Sequence, residues 1–323
     1  MIPPPHPLFR AFDEFDGPAA PGFATSYFGA RFRDWLFTGQ SEGAAQSGRI
    51  HVGYPPVAEE YFEWIALLAA VASAQDRFCM LELGAGWGRW SVYAAMLCRQ
   101  RRLPFTLVAV EPEPSHFQWL QMVFQDNGID PQEHQLYEAA VVPGGRLARL
   151  AGIDDPLREY GHYVRSGWKN WLRARRGGHA VREVRGVSLR ELLIAHPKID
   201  LVDMDIQGME DKVIRSVPPQ DLDRVRILHI GTHSRAVEAR LRRTLHRLGW
   251  SNAFSFPCYS ESQTPFGAVR FEDGVETWVH PHARSELELL LSEKAVKKSG
   301  RQAEPPAPPQ MLSTEPCVSS RTR

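Results

Sequence analysis

Apolar and polar positions in the middle of the chain alternate between a strand-like and a helix-like spacing. Short apolar runs bounded by turn residues predict strands at Cys79–Leu83, Phe105–Glu111, Gln135–Val142, Ile199–Ile206 and Arg224–Ile230. Helical spacing predicts helices at Pro56–Ala74, Arg89–Arg101, Ser115–Gln125, Ser188–His196, Met209–Ser216 and Ala236–Leu248. Because strands and helices alternate, we expect a doubly wound α/β fold, with a mostly parallel sheet covered on both faces.

The pattern changes towards the C-terminus. The segments Phe254–Cys258, Gly267–Phe271 and Glu276–Val279 follow one another without helices, and Asp273-Gly274 is typical of a turn. This predicts a terminal antiparallel hairpin at one edge of the sheet. One short helix, Ser285 to Lys298, precedes a proline-rich tail that is predicted to be disordered.

These patterns suggest a division of the chain. Residues 1–50 are rich in aromatic side chains without periodicity, which indicates an irregular arm packed on the main body. Residues 51–284 form the main domain, and residues 285–323 form the short helix and tail. Within the main domain, residues 146–187 interrupt the alternation, and so long an insertion is usually functional or disordered. We interpret it as a cap on the main domain.

The composition narrows the class of protein. The 323 residues are 43% hydrophobic and 24% charged with a net charge of zero, so no long-range field favours nucleic acid or an anionic membrane as a partner. The four cysteines are scattered, which indicates neither a zinc site nor a disulfide framework. The longest apolar stretch is too short to span a bilayer, and the N-terminus does not resemble a secretory signal. We expect a cytoplasmic protein that binds a small molecule. The composition does not decide between a monomer and a homo-oligomer.

A glycine-rich turn, Gly84-Ala85-Gly86-Trp87-Gly88, connects the first strand to a helix. Glycines allow a sharp turn and a close approach of the main chain to a ligand. Arg89 occupies the position where the dinucleotide pattern requires its third glycine, which disfavours a pyrophosphate. Glu82 precedes the turn and suits an ammonium group better than a phosphate. These features favour S-adenosylmethionine (SAM) and predict that Glu82 and residues 84–88 contact it.

Two further acidic residues lie at or near the ends of predicted strands. Glu111, followed by Pro112, ends the second strand, where a carboxylate can accept hydrogen bonds from both hydroxyls of a ribose. Glu138, followed by Ala139, lies near the end of the third strand and is predicted to face the adenine, although a cross-strand ion pair is an alternative for Glu138.

Several segments together resemble the FkbM family of SAM-dependent methyltransferases. They are Leu81–Gly88, 110–114, 202–210 and 228–234. The resemblance implies a Rossmann-like, class I methyltransferase fold and transfer of a methyl group, usually to a hydroxyl oxygen of a sugar, polyketide or similar metabolite. Two positions depart from the family, which often has glutamate where Gln207 and Gly231 stand.

Methylation of a hydroxyl requires alignment of the reactants and removal of a proton. Asp205 is predicted to contact the SAM amine or to act as an acid/base. Glu210 is predicted to be catalytic, with a favourable charge at a helix N-terminus as the alternative. His233 suits the role of base, with a loop hydrogen bond as the alternative. These residues and Asp203 could instead converge on Mg²⁺, but no spacing demands it, and we assign no metal ligand.

The insertion supplies the candidates for acceptor recognition, Tyr160, Tyr163, Arg165 and Trp168. Aromatic faces stack on sugars and arginine pairs with anions, so the acceptor is predicted to be glycosidic or acidic. A solvated helix is the alternative. An NAD-dependent oxidoreductase would explain the sheet and Glu111 but neither Arg89 nor Glu82. A non-catalytic RNA-binding protein would leave the neutral net charge unexplained.

Overall fold

The computed structural model describes residues 5–37, 48–151, 155–157 and 181–292. In chain order, its strands are β1 (Phe15–Pro18), β2 (Phe23–Thr25), β3 (Arg31–Arg33), β4 (Arg49–Val52), β5 (Phe78–Leu83), β6 (Phe105–Glu111), β7 (Gln135–Glu138), β8 (Ala140–Val141), β9 (Leu147–Ala151), β10 (Val181–Val187), β11 (Ile199–Met204), β12 (Val225–Thr232), β13 (Ser251–Phe256), β14 (Ser260–Thr264), β15 (Gly267–Phe271) and β16 (Gly274–Val279). The α-helices are α1 (Tyr61–Ser73), α2 (Arg89–Gln100), α3 (Pro114–Asp126), α4 (Leu189–Ile194), α5 (Glu210–Arg215), α6 (Pro219–Leu222), α7 (Arg235–Arg247) and α8 (Arg284–Leu291).

The central sheet has seven strands in the order β13-β16-β12-β11-β5-β6-β7. All neighbours from β7 to β12 are parallel, and β16 runs antiparallel between β12 and β13. Every residue of β5 and β11 is buried, because their apolar runs are covered from both sides. The predicted doubly wound, mostly parallel fold is confirmed. The chain reverses its direction across the sheet between β5 and β11, where such sheets bind ligands beyond their carboxyl ends.

Two cores flank the sheet. Met80 of β5 packs into the first, together with α1, α2 and α3, and Leu81 packs into the second, together with α4, α5 and α7. This alternation follows from the pleat of the strand, which sends successive side chains to opposite faces. Helix α1 is buried on nearly all sides and begins at Tyr61, later than the predicted Pro56. The acidic residues just before it, Glu59 and Glu60, bind other parts of the chain instead of extending the helix.

The described part of the aromatic N-terminal arm packs into the first core. Phe9, Phe12, Phe28 and Phe32 are all buried there. Burial of one phenylalanine side chain stabilises a fold by about 1.5–3 kcal/mol, so the arm contributes to the stability of the main body. Strand β1 pairs with β4, which lies across the proposed boundary at residue 50.

The predicted third strand, Gln135–Val142, is divided in the structure. Strand β7 ends at Glu138, and β8 leaves the central sheet to pair with β10, which also pairs with β9. Residues 147–151 and 181–187 of the predicted insertion therefore belong to a small sheet beside β7. Apolar residues continue from Ala139 to Val142 without a turn residue, so the sequence gives no sign of this change of partner.

The predicted antiparallel edge is formed by β13 and β16. They are not consecutive, because β14 and β15 pair with each other outside the central sheet. Asp273-Gly274 connects β15 to β16 across two sheets and does not close a hairpin, contrary to prediction. The predicted C-terminal helix is described as α8 up to Leu291, and residues 293–323 lie outside the described part. Among the described helices, none has both the length and the apolar character needed to cross a membrane.

Candidate active site

A cavity of about 620 Å³ opens at the carboxyl ends of β5, β6, β11 and β12. The glycine-rich turn lies on one side, and the loops that follow β11 and β12 lie on the other. Leu36 and Phe37 of the N-terminal arm also line the cavity. Trp87 of the turn packs edge-on against Phe32 and Phe37, so the arm supports the turn directly.

The conformation of the turn depends on its glycines. Gly84, Gly86 and Gly88 have φ angles of +84°, +54° and +76°, which other residues adopt only at a cost. A Cβ atom on Gly84 would lie 1.9 Å from the main-chain oxygen of Asp205, so only glycine fits where β5 and β11 converge. A Cβ atom on Gly86 would meet no atom within 4 Å. Gly86 therefore presents bare main chain to the cavity, which a ligand can approach closely.

Glu111 joins the turn to the end of β6. Its Oε2 atom accepts a hydrogen bond from the Gly86 amide at 2.7 Å, and its Oε1 atom accepts one from the Glu113 amide at 2.8 Å. The carboxylate is buried, and its orientation is set by both bonds. Each carboxylate oxygen can accept a second hydrogen bond, so the group can still receive two ribose hydroxyls.

Glu82 has a role that the sequence did not reveal. Its two oxygens accept hydrogen bonds from the amides of Trp90 and Ser91 at 3.2 and 2.9 Å, in the first turn of α2. Glu82 thus satisfies free amides at the start of that helix. Its burial raises the pKa of the carboxyl group to about 7, although the hydrogen bonds to Ser91 and Trp90 oppose the shift.

The other residues predicted to bind the cofactor divide into two groups. Ala85, Trp87 and Pro112 line the cavity, together with Glu82, Gly84, Gly86 and Glu111. Gly88, Glu138 and Ala139 do not line it. Gly88 instead faces Leu120 and Phe124 of α3, where an added Cβ would lie 3.0 and 3.2 Å from their side chains. Glu138 is exposed, and Ala140 and Val141 line the cavity in its place, because the chain turns towards β10 after β7.

The three predicted catalytic residues meet on the side of the cavity opposite the glycine-rich turn. The Nε2 atom of His233 lies 3.2 Å from Oδ1 of Asp205, and its Nδ1 atom lies 3.5 Å from Oε1 of Glu210. Asp273, which the sequence indicated only as a turn residue, lies 3.5 Å from the same Nε2 atom. Burial by itself lowers the pKa of His233, but contacts with Asp205 and Glu210 and the charge of Asp273 raise it to about 11.

A second polar cluster lies deeper, against α1. Asp203 is the register partner of Glu82 on β5 and of His229 on β12, and Glu63 reaches them from α1. Sequence reasoning missed the roles of Glu63 and His229. A partial signal exists, since Glu82, Asp203 and His229 each interrupt an apolar strand. Glu63 gives no such signal, because only packing of α1 on the sheet brings it to the cluster.

Glu63 and Asp203 share a hydrogen bond, and burial is the main cause that raises the pKa of both groups well above the usual range. Burial therefore favours the protonated form of the pair. Burial lowers the pKa of His229 to about 3, so its ring is neutral, and its Nδ1 atom lies 2.9 Å from Oγ1 of Thr277.

We expect the raised pKa of Glu63 to make the stability of the protein depend on pH. A carboxyl group whose pKa is higher in the folded state stabilises the fold at low pH, and this stabilisation is lost as pH rises through the folded-state pKa. The melting temperature of the protein should therefore fall as pH rises above the ordinary carboxyl pKa of 4.5, and the melting temperature of Glu63→Gln, which keeps a donor to Asp203, should fall by less. Thermal melts of both, with exposed Glu133→Gln as the control, measure the effect. Parallel melting curves for Glu63→Gln and the wild type would contradict it.

The residues predicted to bind the acceptor, Tyr160, Tyr163, Arg165 and Trp168, lie outside the described residues. From the same part of the chain, Leu150 and Leu157 line the cavity. Part of the small sheet of β8, β9 and β10 therefore forms a wall of the cavity. Gly231 of β12 also lines it, and an added Cβ there would lie 3.5 Å from Cγ of Asp205.

Comparison with known proteins agrees with the motifs. Residues 82–254 match the model of the family described as methyltransferase FkbM domain. A protein of Jannaschia sp. (strain CCS1), whose name places it among the methyltransferases, is 28% identical over 277 residues, or 82% of this chain and 95% of that protein.

Solved structures are also similar. The precorrin-6y C5,15-methyltransferase of Geobacter metallireducens GS-15 is 12% identical, with 69% of this chain and 89% of that chain covered and a TM-score of 0.39. A human methyltransferase 10 domain containing protein is 11% identical, with 70% and 84% covered and a TM-score of 0.35. The family match spans more than half of the sequence and includes the glycine-rich turn, Glu111, Asp205 and His233. The chain therefore belongs to the FkbM methyltransferase family.

Proposed function

We propose that this methyltransferase uses SAM and methylates a hydroxyl oxygen of a sugar, a polyketide or a similar small metabolite. One observation carries the proposal. The bare main chain at Gly86, the carboxylate of Glu111, and the pair formed by Asp205 and His233 all face one cavity at the carboxyl ends of the parallel strands. The first two groups suit a nucleoside, and the pair suits an acceptor that must lose a proton.

The charge of the cavity supports SAM over a dinucleotide. Eight carboxyl groups line it, and Arg89 is the one arginine among its described lining residues. Arg89 is itself paired with Glu60. The described lining residues would repel a pyrophosphate through their carboxylates and offer it no unpaired arginine, whereas they would attract a sulfonium and an ammonium group. The sequence prediction from Glu82 and Arg89 points in the same direction.

The residues of the turn fit the cofactor on the grounds of space and hydrogen bonding. Gly86 allows close approach, and Glu111 would accept the ribose hydroxyls. When bound, the cofactor would supply a methyl group that its positively charged sulfonium activates for transfer. Leu36, Phe37 and the other apolar lining residues would limit access of water to the reacting atoms.

The acceptor proton is best assigned to Asp205. A histidine with a pKa of about 11 already holds its proton at neutral pH, so His233 is not free to accept another in this state. The side chain of Asp205 is 53% exposed and faces the cavity, whereas that of His233 is 6% exposed. We therefore assign the base to Asp205, and we assign to His233, first predicted as the base, the role of positioning that carboxylate.

Titration calorimetry of the full chain tests the cofactor. We expect S-adenosylhomocysteine to bind with a dissociation constant in the micromolar range and NADH not to bind. Tight binding of NADH without a response to S-adenosylhomocysteine would overturn the proposal and favour an oxidoreductase. Transfer of label from methyl-labelled SAM to alcohols, compared with amines of the same skeleton, tests the assignment to oxygen. Label that enters only the amines would contradict that assignment.

A further inference from the structure

We infer that Asp205, His233 and Asp273 form a site for a divalent cation on the acceptor side of the cavity, with Glu210 orienting the histidine ring. The site is defined by the positions of these side chains alone. Its role, which is to bind and acidify an acceptor hydroxyl, rests on the proposed function.

The distances between the side chains fit ligands of one ion. Nε2 of His233 lies 3.2 Å from Oδ1 of Asp205 and 3.5 Å from Oδ1 of Asp273. Two ligand atoms that each lie about 2.1 Å from a metal are about 3.0–3.4 Å apart in octahedral or tetrahedral coordination. The ligand atoms of Asp205, Glu210 and His233 already lie within 4.8 Å of one another, and movement of the half-exposed side chain of Asp273 would add a further oxygen.

Buried polar atoms without partners point to the same place. The side chain of His233 is only 6% exposed, yet neither of its ring nitrogens makes a hydrogen bond. Both nitrogens lie near carboxylate oxygens without the alignment that a hydrogen bond needs. Oε2 of Glu210, whose side chain is fully buried, also has no partner. Such atoms are rare in folded proteins and call for a bound group.

Glu210 occupies the position of an outer carboxylate. Its Oε1 atom accepts a hydrogen bond from the Gly208 amide at 2.8 Å and lies 3.5 Å from Nδ1 of His233. A histidine that binds a metal through one ring nitrogen usually donates its other N–H to a carboxylate or a carbonyl, which fixes the ring and its tautomer. Glu210 would do this for His233, and would leave Nε2 directed at the ion. Because a histidine ligand must be neutral, the ion would displace the second proton that the ring of His233 holds when the site is empty.

The deeper cluster of Glu63, Asp203 and His229 also brings three possible ligands together. Its groups already have partners, since Glu63 binds Asp203 and the ring of His229 contacts Thr277. The outer site differs in having unpartnered nitrogens and two carboxylates that are open to the cavity. One nitrogen and two oxygen ligands suit Mn²⁺, and Mg²⁺ less well, because carboxylates favour both ions whereas imidazole favours transition metals.

Binding of Mn²⁺ to the full chain, without SAM or acceptor, tests the site. The electron paramagnetic resonance signal of free Mn²⁺ falls on binding, so the titration gives the stoichiometry and the affinity. We expect one Mn²⁺ per chain of the wild type. The affinity for Mn²⁺ should be at least about 10-fold lower in Asp205→Asn, Asp273→Asn and His233→Ala than in the wild type. Because both aspartates are half-exposed, their variants should fold as the wild type does, which thermal melts can check.

Asp223→Asn is the matched control. Asp223 also pairs with a histidine, His280, at 3.1 Å, but it precedes β12, at the opposite end of the strand from His233. Its variant should bind Mn²⁺ like the wild type. Absence of binding up to about 1 mM Mn²⁺, or equal affinity in all variants, would overturn the inference, since a specific site should bind more tightly. Binding of S-adenosylhomocysteine in the same samples tests the proposed function separately, because that ligand is proposed to contact Gly86 and Glu111 on the opposite side of the cavity.

Discussion

A Gly84→Ala variant is expected to lose both methyl transfer and a large part of the stability of the fold. The added Cβ would lie 1.9 Å from the main-chain oxygen of Asp205, at a residue whose φ is +84°. The two costs, a left-handed alanine and overpacking between central strands, together amount to about 2–5 kcal/mol. Movement of the turn by about 1 Å would also misplace the reacting groups and lower the rate by about 100-fold.

Gly144→Ala separates the two costs. Gly144 has a φ of +81°, and a Cβ there would meet no atom within 4 Å, so this variant carries the conformational cost alone. Chemical denaturation of both variants should therefore give a larger loss of unfolding free energy for Gly84→Ala. Similar losses for the two variants, with normal methyl transfer in Gly84→Ala, would show that β5 and β11 can separate at this point.

Glu111→Ala is expected to weaken the binding of S-adenosylhomocysteine by about 100-fold, which corresponds to the loss of two hydrogen bonds to a charged group. The carboxylate is buried between the amides of Gly86 and Glu113, and it is the group at the end of β6 that can receive both ribose hydroxyls. The variant also removes an acceptor from the Gly86 amide, so the turn itself loses one restraint. Calorimetric titration against the wild type measures the effect.

Glu138→Ala is the matched control for this prediction. Glu138 is the register partner of Glu111 on β7, but it is exposed and does not line the cavity. Its removal should leave the affinity unchanged, whereas a loss equal to that of Glu111→Ala would restore the predicted contact with adenine. Glu111→Gln, which keeps one acceptor for the turn, distinguishes ribose binding from a disturbed turn. If Glu111→Ala binds as tightly as the wild type, the assignment of Glu111 to the ribose is wrong.

The two sides of the cavity differ in how far sequence reasoning could reach. The cofactor side depends on neighbouring residues, since the turn follows β5 directly and Glu111 ends the next strand. On the acceptor side, Asp205 and His233 were predicted from the ends of their strands, but their relation to Asp273 was not. Glu59 accepts hydrogen bonds from the amides of Glu272 and Asp273 and so holds that loop against the start of α1. No local pattern connects residues that lie more than 200 positions apart.

The amino-acid sequence alone determined the alternation of strands and helices, the glycine turn and the family, because these depend on short-range periodicity and on main-chain conformations that few residues adopt. Tertiary structure was needed to align Glu82, Asp203 and His229 in one row, to turn Glu138 outwards, and to surround His233 with three carboxylates. Strand register, helix packing and burial set those distances, and the distances set the pKa of each group. A residue's charge in the site is therefore a property of its neighbours in space, which the order of residues in the chain does not specify.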